Sequence, residues 1–119
     1  MRILYAEDKE EVAECGVLVL EELGHQVVRV ASVAEAFAAL EMTRFDVAML
    51  DIEMGDGLIF EATQKMDELG LPFFFASGRS RHDLPLVYAG RPYLQKPYPL
   101  DRLIAVLQAR CGVARPPAD

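Results

Sequence analysis

Residues 46–57 read DVAMLDIEMGDG, a short apolar run that ends in an acid instead of a neutral turn residue. The run at positions 47–50 is continuous and does not alternate with polar residues, which is typical of a strand buried in a parallel sheet. Asp51 stands at its end, and Glu53 follows two residues later. The pattern raises the question of why a buried strand ends on a carboxylate.

Strand and helix patterns alternate along the rest of the chain. Short apolar or valine-rich runs predict strands at residues 1–6, 25–30, 47–50, 71–76 and 93–95. Apolar residues at helical spacing predict helices at residues 9–23, 32–42, 58–69 and 100–110. Gly24 is expected to end the first helix, and the capping box of Ser32 and Glu35 to open the second. This order predicts an α/β domain in which helices cover both faces of a parallel sheet.

Length and composition limit the class of protein. A chain of 119 residues, 52% hydrophobic and 26% charged, predicts one globular domain. A formal charge of −7 without a large Lys/Arg cluster argues against nucleic acid as a partner. Because the sequence has neither a long apolar stretch nor a secretory signal pattern, we expect no membrane partner and a cytoplasmic location. Cys15 and Cys111 fit no metal-ligand spacing and are expected to be free thiols.

Charged or hydroxylated side chains follow four of the five predicted strands. Glu7 and Asp8 follow the first strand, Asp51 the third, Ser77 the fourth and Lys96 the fifth. In an open parallel sheet, ligands bind beyond the carboxyl ends of the strands. Three carboxylates, one hydroxyl and one ammonium are therefore expected at one rim.

The residue types at this rim point to phosphoryl chemistry. Clustered carboxylates repel one another, and a divalent cation removes that cost. Because the donors are oxygens, without His or Cys, the pattern indicates Mg²⁺ rather than Zn²⁺. Mg²⁺ shares its coordination with phosphate oxygens, and Lys96 would supply positive charge to a phosphoryl group in transfer. Asp51 is the best-placed nucleophile, which would form an aspartyl phosphate, and Ser77 supplies a hydroxyl donor.

These residues resemble the receiver domain of bacterial response regulators, of the stand-alone, chemotaxis-regulator-like type. The resemblance covers residues 1–112 and is carried by ILYAED, FDVAMLDIEMGDG, FFFASG and YLQKPY. It implies a flavodoxin-like, doubly wound, five-stranded parallel sheet in the order 2-1-3-4-5. It also implies two helices on one face and three on the other. Residues 113–119 are expected to form a disordered tail.

The resemblance also implies a role for each site residue. Asp51 resembles the phosphoacceptor, and Lys96 the lysine that contacts phosphate. Mg²⁺ would be held by the side chains of Glu7, Asp8 and Asp51 and by the backbone carbonyl of Glu53. Ser77 resembles the switch hydroxyl, and Tyr93 the aromatic residue that turns inward as that hydroxyl moves. The peptide bond between Lys96 and Pro97 is expected to be cis.

Two features depart from the family or go beyond its motif. The interval from Ser77 to Lys96 is only 19 positions (96 − 77), about one helical turn shorter than usual for the family. Pro85 also falls where the fourth helix should be. We therefore expect that helix to be short or irregular. Many receivers dimerise through the face to which this helix contributes, so the resemblance does not predict a mode of dimerisation for this chain. Arg79 and Glu53 are expected to flank the mouth of the site. Our hypothesis is that they pair, screen the attacking water and so modulate the lifetime of the phosphoryl group.

The resulting interpretation is a phosphorylation switch of a two-component or phosphorelay system. A sensor histidine kinase or a histidine phosphotransfer protein would donate the phosphoryl group, and an unknown downstream protein would read the change. Such a protein catalyses only its own phosphorylation and dephosphorylation. Three alternatives stay open at this point: a small phosphatase of the haloacid dehalogenase type, a degenerate receiver that never takes phosphate, and a flavodoxin-like binder.

Overall fold

Alternating strands and helices build the fold. The structure, a computed structural model, describes residues 1–109. Its elements are β1 (Arg2–Ala6), α1 (Glu10–Glu22), β2 (Gln26–Val30), α2 (Val33–Met42), β3 (Val47–Leu50), β4 (Glu53–Met54), β5 (Gly57–Leu58), α3 (Phe60–Glu68), β6 (Phe73–Ser77), β7 (Tyr93–Gln95) and α4 (Leu100–Gln108).

Five parallel strands form the main sheet in the order β2-β1-β3-β6-β7. The two short strands β4 and β5 pair only with each other, as an antiparallel hairpin. The predicted flavodoxin-like order 2-1-3-4-5 is therefore confirmed, with β6 and β7 as its fourth and fifth strands. The register pairs Ala6 with Leu50 and Ser77 with Gln95, so the carboxyl ends of these strands meet at one rim.

A separate hydrophobic core lies on each face of the sheet. One core joins alternate strand residues to α2 and α3, and the other joins the remaining strand residues to α1 and α4. Because successive strand side chains point to opposite faces, both sets of residues in β3 and β6 are buried. This explains the continuous apolar runs in the sequence.

The resemblance implies a helix between β6 and β7, on the same face of the sheet as α2 and α3. Irregular structure replaces it. Two 3₁₀ turns, Arg81–Asp83 and Leu86–Tyr88, stand in its place. Pro85 lies between them and lacks the N–H that a continuous helix would need. The expectation of a short or irregular fourth helix is confirmed.

The structure differs from the sequence predictions in two details at the starts of helices. Leu58 was predicted to begin the third helix, but it lies in β5, and α3 begins at Phe60. The prediction was wrong because residues 53–58 form a tight hairpin, which uses Gly57 at a φ of 149°. The capping box is confirmed in part. Ser32 Oγ accepts a hydrogen bond from the Glu35 N–H at 3.0 Å, whereas the Glu35 carboxylate accepts from Ala31 N instead of Ser32 N.

Several predictions concern residues outside the described part of the chain. These are the end of the last helix at Arg110, the thiol of Cys111 and the tail at 113–119. Within residues 1–109, Cys15 is a free, exposed thiol. No helix in that range is both long and apolar enough to cross a bilayer.

We predict that Gly16→Ala destabilises the fold, although Ala ordinarily favours a helix interior over Gly by about 1 kcal/mol. A Cβ atom at Gly16, in α1, would overlap the hydroxyl oxygen and the ring of Tyr5, a residue that is only 3% exposed. We expect a net loss of about 1–3 kcal/mol in urea unfolding. Gly55→Ala, where a Cβ would meet nothing within 4 Å, is the control. Equal unfolding midpoints for the two variants would contradict the prediction.

Candidate phosphoacceptor site

Three carboxylates come together at the carboxyl rim of the sheet. Glu7, Asp8 and Asp51 each offer one oxygen, and these oxygens lie within 4.8 Å of one another. Glu7 is fully buried, whereas Asp8 and Asp51 are partly exposed. The pairing of β1 with β3 produces this cluster, because it sets Ala6 directly beside Leu50.

Lys96 pairs with two of the three carboxylates. Its Nζ atom lies 2.5 Å from Glu7 Oε1 and 3.4 Å from Asp51 Oδ2. Burial alone would lower the pKa of Lys96, but the hydrogen bond with Glu7 and the charge of Asp51 raise it above its ordinary value. The side chain is therefore an ammonium group throughout the physiological range. The Lys96–Pro97 peptide bond is cis, as predicted.

Hydrogen bonds from neighbouring groups hold Glu7 and Asp51 in place. Glu7 Oε2 accepts a hydrogen bond from Lys9 N at 3.1 Å, and the Glu7 carbonyl accepts one from Arg29 Nε at 2.9 Å. Asp51 Oδ1 accepts from Ile52 N at 2.8 Å. The second oxygen of Asp51, Oδ2, is thus the one that faces Lys96.

The charge and donor types of the cluster fit Mg²⁺. Three carboxylates and one ammonium leave a formal charge of −2 (−3 + 1). The Asp8 carboxylate has no hydrogen bond or ion pair to any other residue in 1–109. All the donors are oxygens, which Mg²⁺ prefers. Glu53, whose carbonyl was assigned to the metal by resemblance, lies in β4, two residues after Asp51.

Arg79 joins the other three predicted residues at the mouth of the site. Its backbone N–H donates to Ser77 Oγ at 3.2 Å, and its carbonyl accepts from the Tyr93 hydroxyl. Its guanidinium donates to Glu53 Oε2 at 2.7 Å, so the predicted ion pair is present. Tyr93 is already buried, and burial raises the pKa of its hydroxyl. Any effect of the ion pair on a phosphoryl lifetime stays a prediction.

Solved structures similar to this chain share its whole architecture. SdrG from Sphingomonas melonis is 32% identical in sequence, with a TM-score of 0.80, over 92% of this chain and 94% of that one. A response regulator receiver domain (CheY-like) from Methylobacillus flagellatus is 26% identical, with a TM-score of 0.79, over 92% and 97% of the two chains. The chain belongs to the receiver-domain family of response regulators. No family model and no curated protein matches the sequence.

A more distant structure supports the receiver fold alone. TrrA from Thermotoga maritima is a response regulator solved in complex with Mg²⁺-BeF; it is 22% identical, with a TM-score of 0.80, over 90% of this chain and 96% of that one. At this identity the match extends the evidence for the architecture and not for the site residues.

The receiver has site contacts that the sequence analysis missed. Arg29 bonds to the Glu7 carbonyl from β2, and Asp56 bonds from the β4–β5 loop to the start of α2. Arg29 lies in a run of valines and gave no signal. The glycines on either side of Asp56 indicated a turn, but its partner lies 23 residues away.

We predict that Lys96→Met destabilises the receiver by about 3 kcal/mol in metal-free buffer, because it leaves the fully buried Glu7 carboxylate without its ammonium partner. The loss should be measured by urea unfolding with EDTA present. The double variant Glu7→Gln/Lys96→Met is the control, since it also removes the buried charge, and it should recover more than half of the loss. Equal stability of the single and double variants would contradict the prediction, because it would show that the buried Glu7 side chain does not depend on its ion pair with Lys96.

Proposed function

We propose that this receiver accepts a phosphoryl group on Asp51 and switches the binding of a downstream protein. The observation that carries the proposal is the rim at which Lys96 Nζ lies 2.5 Å from Glu7 and 3.4 Å from Asp51. Asp8 lies beside them, and its carboxylate has no hydrogen bond or ion pair to another residue in 1–109. The donor would be a phosphohistidine on a sensor histidine kinase or a histidine phosphotransfer protein. A cytoplasmic location, and the absence of nucleic-acid and membrane partners, stay predictions.

Glu7, Asp8, Asp51 and the Glu53 carbonyl are the groups that we expect to hold Mg²⁺. The observation in this chain that supports the expectation is the cluster of three carboxylates within 4.8 Å. The Mg²⁺-BeF complex of TrrA adds only that a response regulator with this fold binds the ion. Bound Mg²⁺ would offset the negative charge of the rim and of the incoming phosphoryl oxygens.

The residues of this chain have separate roles in the proposed transfer. Asp51 Oδ1 is held by Ile52 N, so Oδ2 attacks phosphorus; the O–P bond forms as the N–P bond to histidine breaks. Lys96 begins 3.4 Å from Oδ2, and its ammonium would move from that oxygen to a phosphoryl oxygen. The raised pKa of Lys96 keeps the charge that this contact needs.

Ser77 and Tyr93 would report the new phosphoryl group through Arg79. Ser77 Oγ accepts a hydrogen bond from Arg79 N, and a rotation toward a phosphoryl oxygen would break it. The Arg79 carbonyl holds the buried Tyr93 hydroxyl. A displacement of the Arg79 backbone would thus reach Tyr93 directly, which is a local charge event acting on a switching element.

The contacts of Glu53 argue against the main enzymatic alternative. A phosphatase of the haloacid dehalogenase type normally uses an acid at this position as a free general acid, but Glu53 is bound to the Arg79 guanidinium at 2.7 Å. A flavodoxin-like binder is disfavoured because the net negative rim would repel a flavin phosphate. A degenerate receiver would not need the full set of Glu7, Asp8, Asp51, Ser77 and Lys96.

We predict that acetyl phosphate with Mg²⁺ adds one phosphoryl group per chain, detected by intact-protein mass spectrometry and assigned to Asp51 after borohydride trapping. Asp51→Asn should take none, because a side-chain amide is too weak a nucleophile to replace the carboxylate. EDTA should also abolish the reaction. A wild-type chain that stays unmodified would support the degenerate receiver, and multiple turnovers of p-nitrophenyl phosphate would support the phosphatase.

We also predict that Glu53→Ala and Arg79→Ala each shorten the lifetime of the phosphorylated form. The side chains of this pair are 64% and 42% exposed, and an exposed ion pair is a weak interaction, so we expect decay to be only about two- to fivefold faster. The double variant should decay no faster than either single variant, because each change breaks the same contact. Glu41→Ala, on the exposed surface of α2, controls for loss of an acidic side chain. An unaltered decay rate removes the hypothesis.

A further inference from the structure

The loop that follows Asp51 is fastened to a different part of the fold. Asp56 lies between β4 and β5, and both of its carboxylate oxygens accept backbone hydrogen bonds from the first turn of α2. Oδ1 accepts from Val33 N at 2.8 Å and Oδ2 from Ala34 N at 3.2 Å. Hydrogen bonds to a charged acceptor are stronger than those between neutral groups, and the N-terminus of a helix favours a negative charge.

The other end of this contact is fixed in the core. The Val33 side chain is buried, and Ala36, one turn later in α2, is completely buried. Ser32 separately caps the same helix, because its Oγ accepts from Glu35 N at 3.0 Å. The N–H groups of the first turn of α2 are thus shared between a local cap, Ser32, and a distant one, Asp56. The local cap contributes to the helix alone, whereas the distant one also restrains the loop.

The hairpin transmits that restraint to the site. Glu53 pairs with Leu58, and Met54 pairs with Gly57, so that only two residues separate the strands. Ile59 N also donates to the Ile52 carbonyl at 2.9 Å, which closes the loop at its base. Only Met54, which is paired in the hairpin, and Gly55 lie between Glu53 and Asp56. A shift of Asp56 would move the Glu53 carbonyl and the Glu53–Arg79 pair with it.

We propose that Asp56 is a positioning residue, whose two bonds to the α2 N-terminus hold the Glu53 carbonyl in place for Mg²⁺. The inference rests on the proposed function, because it concerns the same site. It predicts that loss of Asp56 weakens metal binding without removing any metal ligand. The alternative is that Asp56 only stabilises α2, as Ser32 does.

Three variants separate these two roles. Asp56→Ala removes both acceptors, Asp56→Asn keeps one acceptor oxygen without the charge, and Ser32→Ala removes the local cap without touching the loop. Mg²⁺ affinity is measured by titration of backbone amide NMR shifts without a phosphodonor, and thermal unfolding is followed by circular dichroism. The rate of phosphorylation by acetyl phosphate is then measured as a function of Mg²⁺ concentration.

We expect Asp56→Ala to weaken Mg²⁺ binding about tenfold, the lower end of the range for residues that orient metal ligands. The Mg²⁺ concentration for half-maximal phosphorylation should rise by the same factor, with a near wild-type rate at saturation. Asp56→Asn should fall between Asp56→Ala and the wild type. Ser32→Ala should lower the melting temperature and leave the Mg²⁺ affinity unchanged.

Two results would overturn the inference: wild-type Mg²⁺ affinity in Asp56→Ala, or a loss of affinity in Ser32→Ala as large as that in Asp56→Ala. A wild-type chain that binds Mg²⁺ but takes no phosphoryl group would contradict the proposed function instead. In that case weaker binding by Asp56→Ala, with normal binding by Ser32→Ala, would still support the positioning role.

Discussion

Repulsion among like charges at the carboxyl rim constrains the rest of this structure. Parallel pairing of β1 with β3 brings three carboxylates within 4.8 Å, and a buried carboxylate such as Glu7 is stable in its charged form only beside a compensating charge. Within residues 1–109, Lys96 is the only cation in an ion pair with this cluster. The ammonium is delivered by β7, a three-residue strand at the edge of the sheet. Any charge gained or lost at the rim must therefore change the forces on Lys96.

Hydrogen bonds connect Lys96 to Ser77 and Arg79, the residues that would respond to phosphorylation. Lys96 N donates to the Ser77 carbonyl at 2.8 Å, and Ser77 Oγ is bonded in turn to Arg79 N. Arg79 then contacts both Tyr93 and Glu53. A contiguous network is not by itself a pathway, since coupling needs an element with two states. In the function proposed above, the Ser77 side chain would be that element, because its rotation toward a phosphoryl oxygen would break the hydrogen bond from Arg79 N.

Sequence reasoning predicted the elements whose cause is local. Continuous apolar runs indicated strands buried on both faces. The position of Pro85 indicated that the helix expected between β6 and β7 would be irregular. The site cluster was predictable because parallel strands bring their carboxyl ends together. The contacts of Asp56 with α2 and of Arg29 with Glu7 were not predictable, since each joins a side chain to a backbone group more than 20 residues away. Every residue except proline carries the same backbone N–H and C=O groups, so no residue pattern identifies such a distant partner.

Side-chain contacts hold the irregular segment that precedes β7. In a regular helix, hydrogen bonds between backbone groups would hold it instead. The ring of Tyr88 stacks on Phe60 at 4.7 Å between centroids, and its hydroxyl is bonded to Thr63 Oγ1 at 2.7 Å. The Arg81 guanidinium donates to the Ala89 and Arg91 carbonyls, which closes the segment on itself.

These contacts divide the segment into parts that differ in restraint. Neither 3₁₀ turn contains a buried residue. The second turn is nevertheless tied to α3 through the partly buried Tyr88, whereas all three residues of the first turn, Arg81–Asp83, are exposed. Moving the second turn would expose the Tyr88 ring and break its stacking on Phe60. The free-energy cost would be substantial, because both the aromatic contact and the buried apolar area would be lost. Moving the first turn would strain its surface contacts, the Arg81 bonds and the packing of Leu84, which directly follows the turn. A signal that leaves the rim through Arg79 is therefore expected to displace the first turn, next to Arg79 in the chain, and to leave Tyr88 where it is.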